Sequence, residues 1–428
     1  METGVAADFD QVAVEAFLKL GIEHPKEQQL AAVRALVVGQ QNVFVQLPTG
    51  FGKSACFQAL PLIYDLLANG TKSHMVLVIT PLLAIINDQV FTLQKAGIKA
   101  CSWSDQNTDM TSTAENAQVI YTTPESLIGV TGKEKNPKGL AVLGAEKVKA
   151  RCVCIAIDEA HCCHKWEGFR PVYQHLTRVT AILGDTPIMA LTATSTPVIT
   201  KFLENNFLGK SYTHLKEDPT RDNIRLTEKG MKEADTTLAE LLWELKKKRR
   251  EMPRTLVFFR SLKDFGDANV KVRHFLEDNQ LHKALYASYH SLHADSILQA
   301  LIASLKDPRG EIRLVFATSA FGMGVDVPGI TRVWHVEPPT EMDDLVQQLG
   351  RAARGNGETA THTLFFSGHG LRDVSPAVKE YALNTETCRQ KAMSKFFGIE
   401  ERAQTLVPRG HCCDLCKEED AMDTSEVQ

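Results

Sequence analysis

The chain has 428 residues, with 48 Lys and Arg against 52 Asp and Glu, for a formal net charge of −4. That length exceeds one ordinary core and predicts two or three domains, and the charge excludes nucleic-acid binding by bulk positive field, leaving only a local patch or groove. No apolar run approaches a membrane span, so no membrane partner is expected. The opening METGVAADFDQ has no basic segment followed by an apolar one, so no secretion signal is expected, and most of the ten cysteines read as reduced core thiols.

Short β-branched apolar runs alternate with stretches of helical periodicity. In the first half the runs are NVFVQL (42–47), MVLVIT (75–80), AQVIYTT (117–123), CVCIAI (152–157) and PIMALTAT (187–194). The second half has TLVFF (255–259), ALYASYH (284–290), IRLVFAT (312–318), TRVWHV (331–336) and THTLFF (361–366). Nearly continuous apolar strands between helices predict parallel sheets buried on both faces. Two such sets give an α/β class with two tandem parallel-sheet domains, joined near KEDPTRDN (216–223). Residues 131–150 read as a surface excursion, and LKKKRRE (245–251) as the solvated end of an amphipathic helix. The final KEEDAMDTSEVQ is acidic and is expected to lack fixed structure.

QLPTGFGKS (46–54) lies between an apolar strand and a helical segment. Backbone amides of a glycine-containing loop at a helix N-terminus form an anion cradle. Gly50 and Gly52 would allow the tight turn, Lys53 would reach β/γ-phosphates, and Ser54 would help hold Mg²⁺. A strict GxxxxGK[ST] pattern fails at its first position, where Leu47 stands. IAIDEAH ends a strand in two carboxylates: Asp158 for Mg²⁺ and Glu159 to orient or deprotonate water. In QQLGRAARG (347–355), Arg351 and Arg354 share a helical face and offer planar forks to phosphate oxygens.

The ordered set LPTGFGKS, LVITPLLAIINDQV, YTTPESL, DEAHC, LTAT, FATSAFGMGVDVP and QQLGRAARG resembles the superfamily-two helicases. DEAHC followed by Trp166 and FRP, with YHSL (289–292) and a late cysteine module, is similar in particular to the RecQ DNA helicases. The resemblance covers roughly residues 25–416. It implies two RecA-like domains with ATP hydrolysis in the cleft between them, and 3′→5′ movement on single-stranded, forked or partly duplex DNA. It divides the chain into an ATP-binding domain (1–215), a helicase C-terminal domain (216–370), a zinc-binding segment (371–417) and an acidic tail (418–428). Only this core is expected, without the accessory modules of larger members. The implied nucleotide set is Gln28, Thr49, Gly50, Gly52, Lys53, Ser54 and Asp158, with Gln29 fitting the adenine-reading position as well as Gln28. Departures are His24-Pro25 in place of an aromatic-Arg pair, Ala353 where glycine is usual, and one residue fewer between Trp166 and Phe169.

Four consecutive residues, His161 to His164, cannot all face one tetrahedral ion. His161 is therefore expected beside the nucleotide, and Cys162 and Cys163 as packing residues. Trp166, Phe169 and Arg170 form an aromatic–basic group suited to stacking bases and touching phosphates. Zn²⁺ is expected further on: Cys388, His411, Cys413 and Cys416 form a tetrahedral set resembling the RecQ zinc module, with Cys412 as the alternative to His411. The function expected is an ATP-dependent DNA helicase, in the nucleus of a eukaryote or the cytoplasm otherwise. The competing reading is a non-hydrolysing nucleic-acid scaffold with a vestigial ATP cleft.

Overall fold

The computed structural model describes residues 2–81, 83–104, 108–134, 137–166, 170–290, 292–307, 309–322, 327–355, 357–399 and 412–416. Phe169 and His411 fall outside them. The chain divides into two compact units, Met1–Glu217 and Asp218–Gln428.

The first unit is built on a 7-stranded sheet. Its strands are β1 (Asn42–Gln46), β2 (Met75–Ile79), β3 (Ala100–Ser102), β4 (Val119–Thr122), β5 (Cys152–Ile157), β6 (Ile188–Thr192) and β7 (Tyr212–Lys216). Their spatial order is β3-β4-β2-β5-β6-β1-β7, and all the pairings are parallel. Buried clusters cover both faces, one around Leu77, Ile155 and Ala190, the other around Val43, Val78 and Leu191. The chain after β1 crosses to β2 and leaves β5 and β6 between them, so the carboxyl ends of β1, β6 and β5 share one crevice.

The second unit has a 6-stranded sheet. It comprises β8 (Ile224–Gly230), β9 (Arg254–Phe259), β10 (Tyr286–Tyr289), β11 (Leu314–Ala317), β12 (Ile330–Val336) and β13 (Ala360–Phe366), in the order β10-β11-β9-β12-β13-β8 and again parallel. Its two faces are covered by clusters around Leu256, Val333 and Leu364 and around Val257, Phe316 and Phe365.

Every apolar run of the sequence forms a strand; β3, β7 and β8 are additional. β7 and β8 are edge strands whose burial is patchy, so they show no continuous apolar signal. The excursion at 131–150 is also less superficial than its polar start implies. Helices Lys138–Leu143 and Glu146–Lys149 bury Leu140, Leu143 and Val148 in the first core. The basic run caps helix Ala234–Lys248, which buries Leu241, Leu242 and Leu245 and exposes its lysine-rich end.

Candidate nucleotide site and cysteine cluster

The loop after β1 turns through Gly50 (φ 77°) and Gly52 (φ 90°), a left-handed backbone that glycine adopts without strain. Gly52 caps the helix Lys53–Leu67. A Cβ there would also come within 2.7 Å of Gln29 Nε2. Gln29 is buried; its Nε2 donates to the Gly52 carbonyl at 3.0 Å, and its Oε1 accepts from the Lys26 amide at 2.8 Å. Gln28, half-buried, donates to the Glu217 carboxylate. Of the two glutamines, Gln29 is thus the one built against the loop. Lys53 Nζ donates to the carbonyls of Leu47 (3.0 Å) and Pro48 (3.2 Å), which holds the ammonium inside the loop. Thr49 and Ser54, half-buried, flank it.

Asp158 and Glu159 leave the end of β5, one strand from β6 and two from β1. The Asp158 amide donates to the Ile79 carbonyl (2.9 Å), and Asp158 Oδ1 accepts from the Glu159 amide (3.1 Å). Burial, then repulsion from Glu159, pushes the Asp158 carboxyl up to about 7, against the pull of Lys53. A half-buried carboxylate so destabilised gains from a hard divalent cation, so the donor set here fits Mg²⁺. Glu159 sits at φ 50°. Its Oε2 is buried without a hydrogen bond and lies 3.4 Å from His161 Nδ1. That nitrogen is 2.8 Å from Thr192 Oγ1, and Thr192 Oγ1 donates to the Thr194 carbonyl at 2.9 Å. His161 therefore bridges the carboxylate of β5 and the end of β6. Cys162 and Cys163 are buried in the apolar core.

Trp166 is half-buried with its edge on Tyr173, ring centroids 5.9 Å apart. The Arg170 guanidinium lies 5.0 Å from the Trp166 centroid and grips Glu125 with two bonds of 2.7 and 2.6 Å. It also donates to the Pro81 carbonyl at 3.2 Å. Arg170 thus ties three segments of the first unit together.

In the second unit, helix Met342–Leu349 ends at Gly350 and leads into Arg351, which is buried. Arg354 Nε donates back to the Gly350 carbonyl at 2.9 Å. Arg221 donates to the carbonyls of Ala352 (2.8 Å) and Ala353, and Asn223 Nδ2 to that of Ala353 (3.1 Å). Ala353 has φ 49°, the left-handed region where glycine would sit without strain.

Four sulfurs converge near the end of the described chain, from Cys388, Cys412, Cys413 and Cys416, all within 4.8 Å of one another. The separations are 3.7 Å (Cys388–Cys412), 4.0 Å (Cys388–Cys413) and 3.5 Å (Cys413–Cys416). Four thiolates about 2.3 Å from a tetrahedral zinc stand about 3.8 Å apart, so the cluster fits that ion. The hydrogen bond between Cys413 and Cys388 pulls the Cys413 thiol down to about 4, toward the thiolate a metal requires. Cys412 supplies the fourth sulfur. The segment is stitched to the sheet edge: the Leu226 amide donates to the Cys412 carbonyl and the Asp414 amide to the Leu226 carbonyl, each at 3.0 Å.

Residues 26–202 match the DEAD/DEAH box helicase model, and residues 233–356 the helicase conserved C-terminal domain. ATP-dependent helicase SGS1 of Saccharomyces cerevisiae is 27% identical over 92% of this chain. ATP-dependent DNA helicase RecQ of Bacillus subtilis is 27% identical, also over 92%. The chain carries both helicase domains and is similar to the RecQ-family helicases. It spans 27% of the yeast protein's length and 65% of the bacterial one's. The fold matches S. cerevisiae Dbp5 bound to RNA and ADP BeF3 (TM-score 0.65, 18% identity, 92% of this chain and 94% of that one). It also matches the DUF1998 helicase MrfA bound to DNA (TM-score 0.66, 17% identity, 91% and 54%).

Several residues around these sites carry no local sequence signal. Glu125, Arg221 and Asn223 act through partners 45 or more positions away, at distances only the fold creates. Thr192, by contrast, lies within the LTAT run, where a buried threonine at a strand's carboxyl end is a readable candidate. No helix among the described residues is long and apolar enough to cross a membrane.

Proposed function

We propose that this core is an ATP- and Mg²⁺-dependent DNA translocase and helicase moving 3′→5′ on single-stranded DNA, with forked or partly duplex DNA as substrate. The observation that carries the reading is the half-buried Asp158–Glu159 pair beside the Lys53 loop, with a buried, unsatisfied carboxylate oxygen on Glu159. The loop amides and Lys53 bind the phosphates, while Ser54 and Asp158 hold the cation. Mg²⁺, when bound, would supply positive charge that favours phosphoryl transfer. Glu159 takes a proton from the attacking water, and His161, fixed by Thr192, keeps that carboxylate aimed. Arg351 and Arg354 supply guanidinium charge to the transferring phosphoryl group. Trp166, Phe169 and Arg170 are assigned to DNA, with Arg170 reporting contact to Glu125 and the Pro81 segment.

The division into residues 1–215, 216–370, 371–417 and a tail, and a nuclear location in a eukaryote, belong to the same reading. Structural zinc at the four cysteines would fasten the last segment to β8. Strand displacement on a 3′-tailed duplex tests the proposal: unwinding that needs ATP and the 3′ tail is expected. Unwinding only from a 5′ tail would overturn the polarity, and none on any DNA would overturn the helicase assignment.

A further inference from the structure

Two imidazoles stand in the core of the second unit, where the mechanism above makes no use of them. His335 on β12 and His362 on β13 are each 1% exposed. His335 Nε2 is 2.8 Å from Gln348 Oε1, and His335 Nδ1 is 2.9 Å from His362 Nε2. An amide oxygen only accepts, so His335 donates from Nε2 and must accept at Nδ1. His362 therefore donates from Nε2, and its Nδ1 is left as a buried lone pair without a hydrogen-bond partner. Apolar side chains would fill both positions at no such cost.

The chain of donors ends on a residue with a second connection. The Gln348 carbonyl accepts from the Arg351 amide at 3.2 Å. Downstream, Arg221 and Asn223 hold the carbonyls of Ala352 and Ala353, and the Ala353 amide donates to Ile330 at 2.8 Å. The turn carrying Arg351 is thus gripped just beyond the arginine by Arg221 and Asn223, and joined just before it, through Gln348, to the two histidines. We propose that His362, His335 and Gln348 are positioning residues that orient Arg351 for phosphoryl transfer, through a directed hydrogen-bond chain running from β13 to helix Met342–Leu349. The proposal rests on the helicase reading.

The surroundings keep both rings neutral. Phe258 stacks on His335 with centroids 5.1 Å apart and planes 15° from parallel. The charged neighbour on the His362 side is Arg389, from helix Arg389–Phe396, itself paired with Glu228 of β8 and Asp414. Burial pushes His335 down to about 4, and burial, with His335 and Arg389 nearby, pushes His362 well below the ordinary histidine range. A charged ring would donate at both nitrogens and break the one-way chain.

The test uses the full chain with ¹⁵N-histidine NMR and steady-state ATP hydrolysis. The expected spectrum shows His335 in the Nε2–H tautomer and uncharged down to pH 5. Gln348→Met should lower kcat at least tenfold with the ATP KM within threefold. His362→Leu, which removes the donor at the other end, should give the same kcat loss if Gln348→Met fails to fold. Parent-like kcat in Gln348→Met or His362→Leu would overturn the proposal, as would an Nδ1–H tautomer or titration of His335 above pH 6. If the parent itself hydrolyses no ATP, the helicase reading fails, and the tautomer still decides whether the chain runs as assigned.

Discussion

Glu159 and Ala353 both carry a side chain at positive φ, 50° and 49°, and both stand in segments assigned to the reaction. Such a backbone costs roughly 1–2 kcal/mol per residue and persists where surrounding contacts over-determine it. For Glu159 the result is a carboxylate 3.4 Å from His161 Nδ1. Glu159→Gln should lower the rate of phosphate release at least about 100-fold while nucleotide binding, read by a fluorescent ATP analogue, is retained. A normal rate in that variant would remove Glu159 from the mechanism. Ala353 is buried as well, so Ala353→Val should destabilise the second unit by about 2–4 kcal/mol in a denaturant titration. Ala353→Gly should change stability by less than about 1 kcal/mol, because relief of strain offsets the lost methyl burial and added chain entropy. The departure from glycine noticed in the sequence thus has a conformational meaning that spacing alone cannot supply.

At the scale of elements, the apolar runs identify the central strands because those strands are buried on both faces, and they also mark edge strand β10, whose sequence is aromatic-rich though only partly buried. β7 and β8 escape that signal because they are edge strands buried only in patches, with polar residues through most of their length. The Lys53 loop and the Asp158–Glu159 pair are legible for a related reason: each directly follows such a strand. Arg170 is legible as an aromatic neighbour, but its partner Glu125 is not, because it belongs to a different helix. The cysteine element depends on edge strand β8 twice, through the Leu226 amide and through Arg389. That arginine, buried, pairs with Glu228 at 2.6 Å and with Asp414. Removing one member of a buried ion pair leaves an uncompensated charge, so Arg389→Ala should cost about 3–5 kcal/mol in a chemical denaturation midpoint. Metal analysis should return one zinc per chain, and Cys413→Ser should lower that content along with thermal stability. One zinc retained after Cys413→Ser would show that other residues hold it.

The His335–His362 element also gives the molecule a pH dependence. The folded state holds His335 near 4 whereas an unfolded histidine titrates near 6.5, so between those values the unfolded chain binds the extra proton. This contribution to stability is complete above pH 6.5 and is lost as pH falls toward 4. About 2 kcal/mol should disappear between pH 7 and 5, and the loss should be smaller in His335→Phe, as read by denaturant midpoints across that range.

For the whole molecule, a net charge of −4 means that DNA affinity must come from local cations, and it should fall steeply with salt as counterions cease to be released. The chain corresponds to 27% of the length of its yeast relative, so its own substrate range has to be measured on the chain itself. The central claim is that Lys53, Asp158 and Glu159 turn over ATP in response to DNA. The most direct measurement is the ATP hydrolysis rate with no nucleic acid, single-stranded DNA, duplex DNA and RNA, each repeated with Glu159→Gln. The account predicts strong stimulation by single-stranded DNA that Glu159→Gln abolishes; a rate indifferent to nucleic acid, or unchanged in that variant, would contradict it.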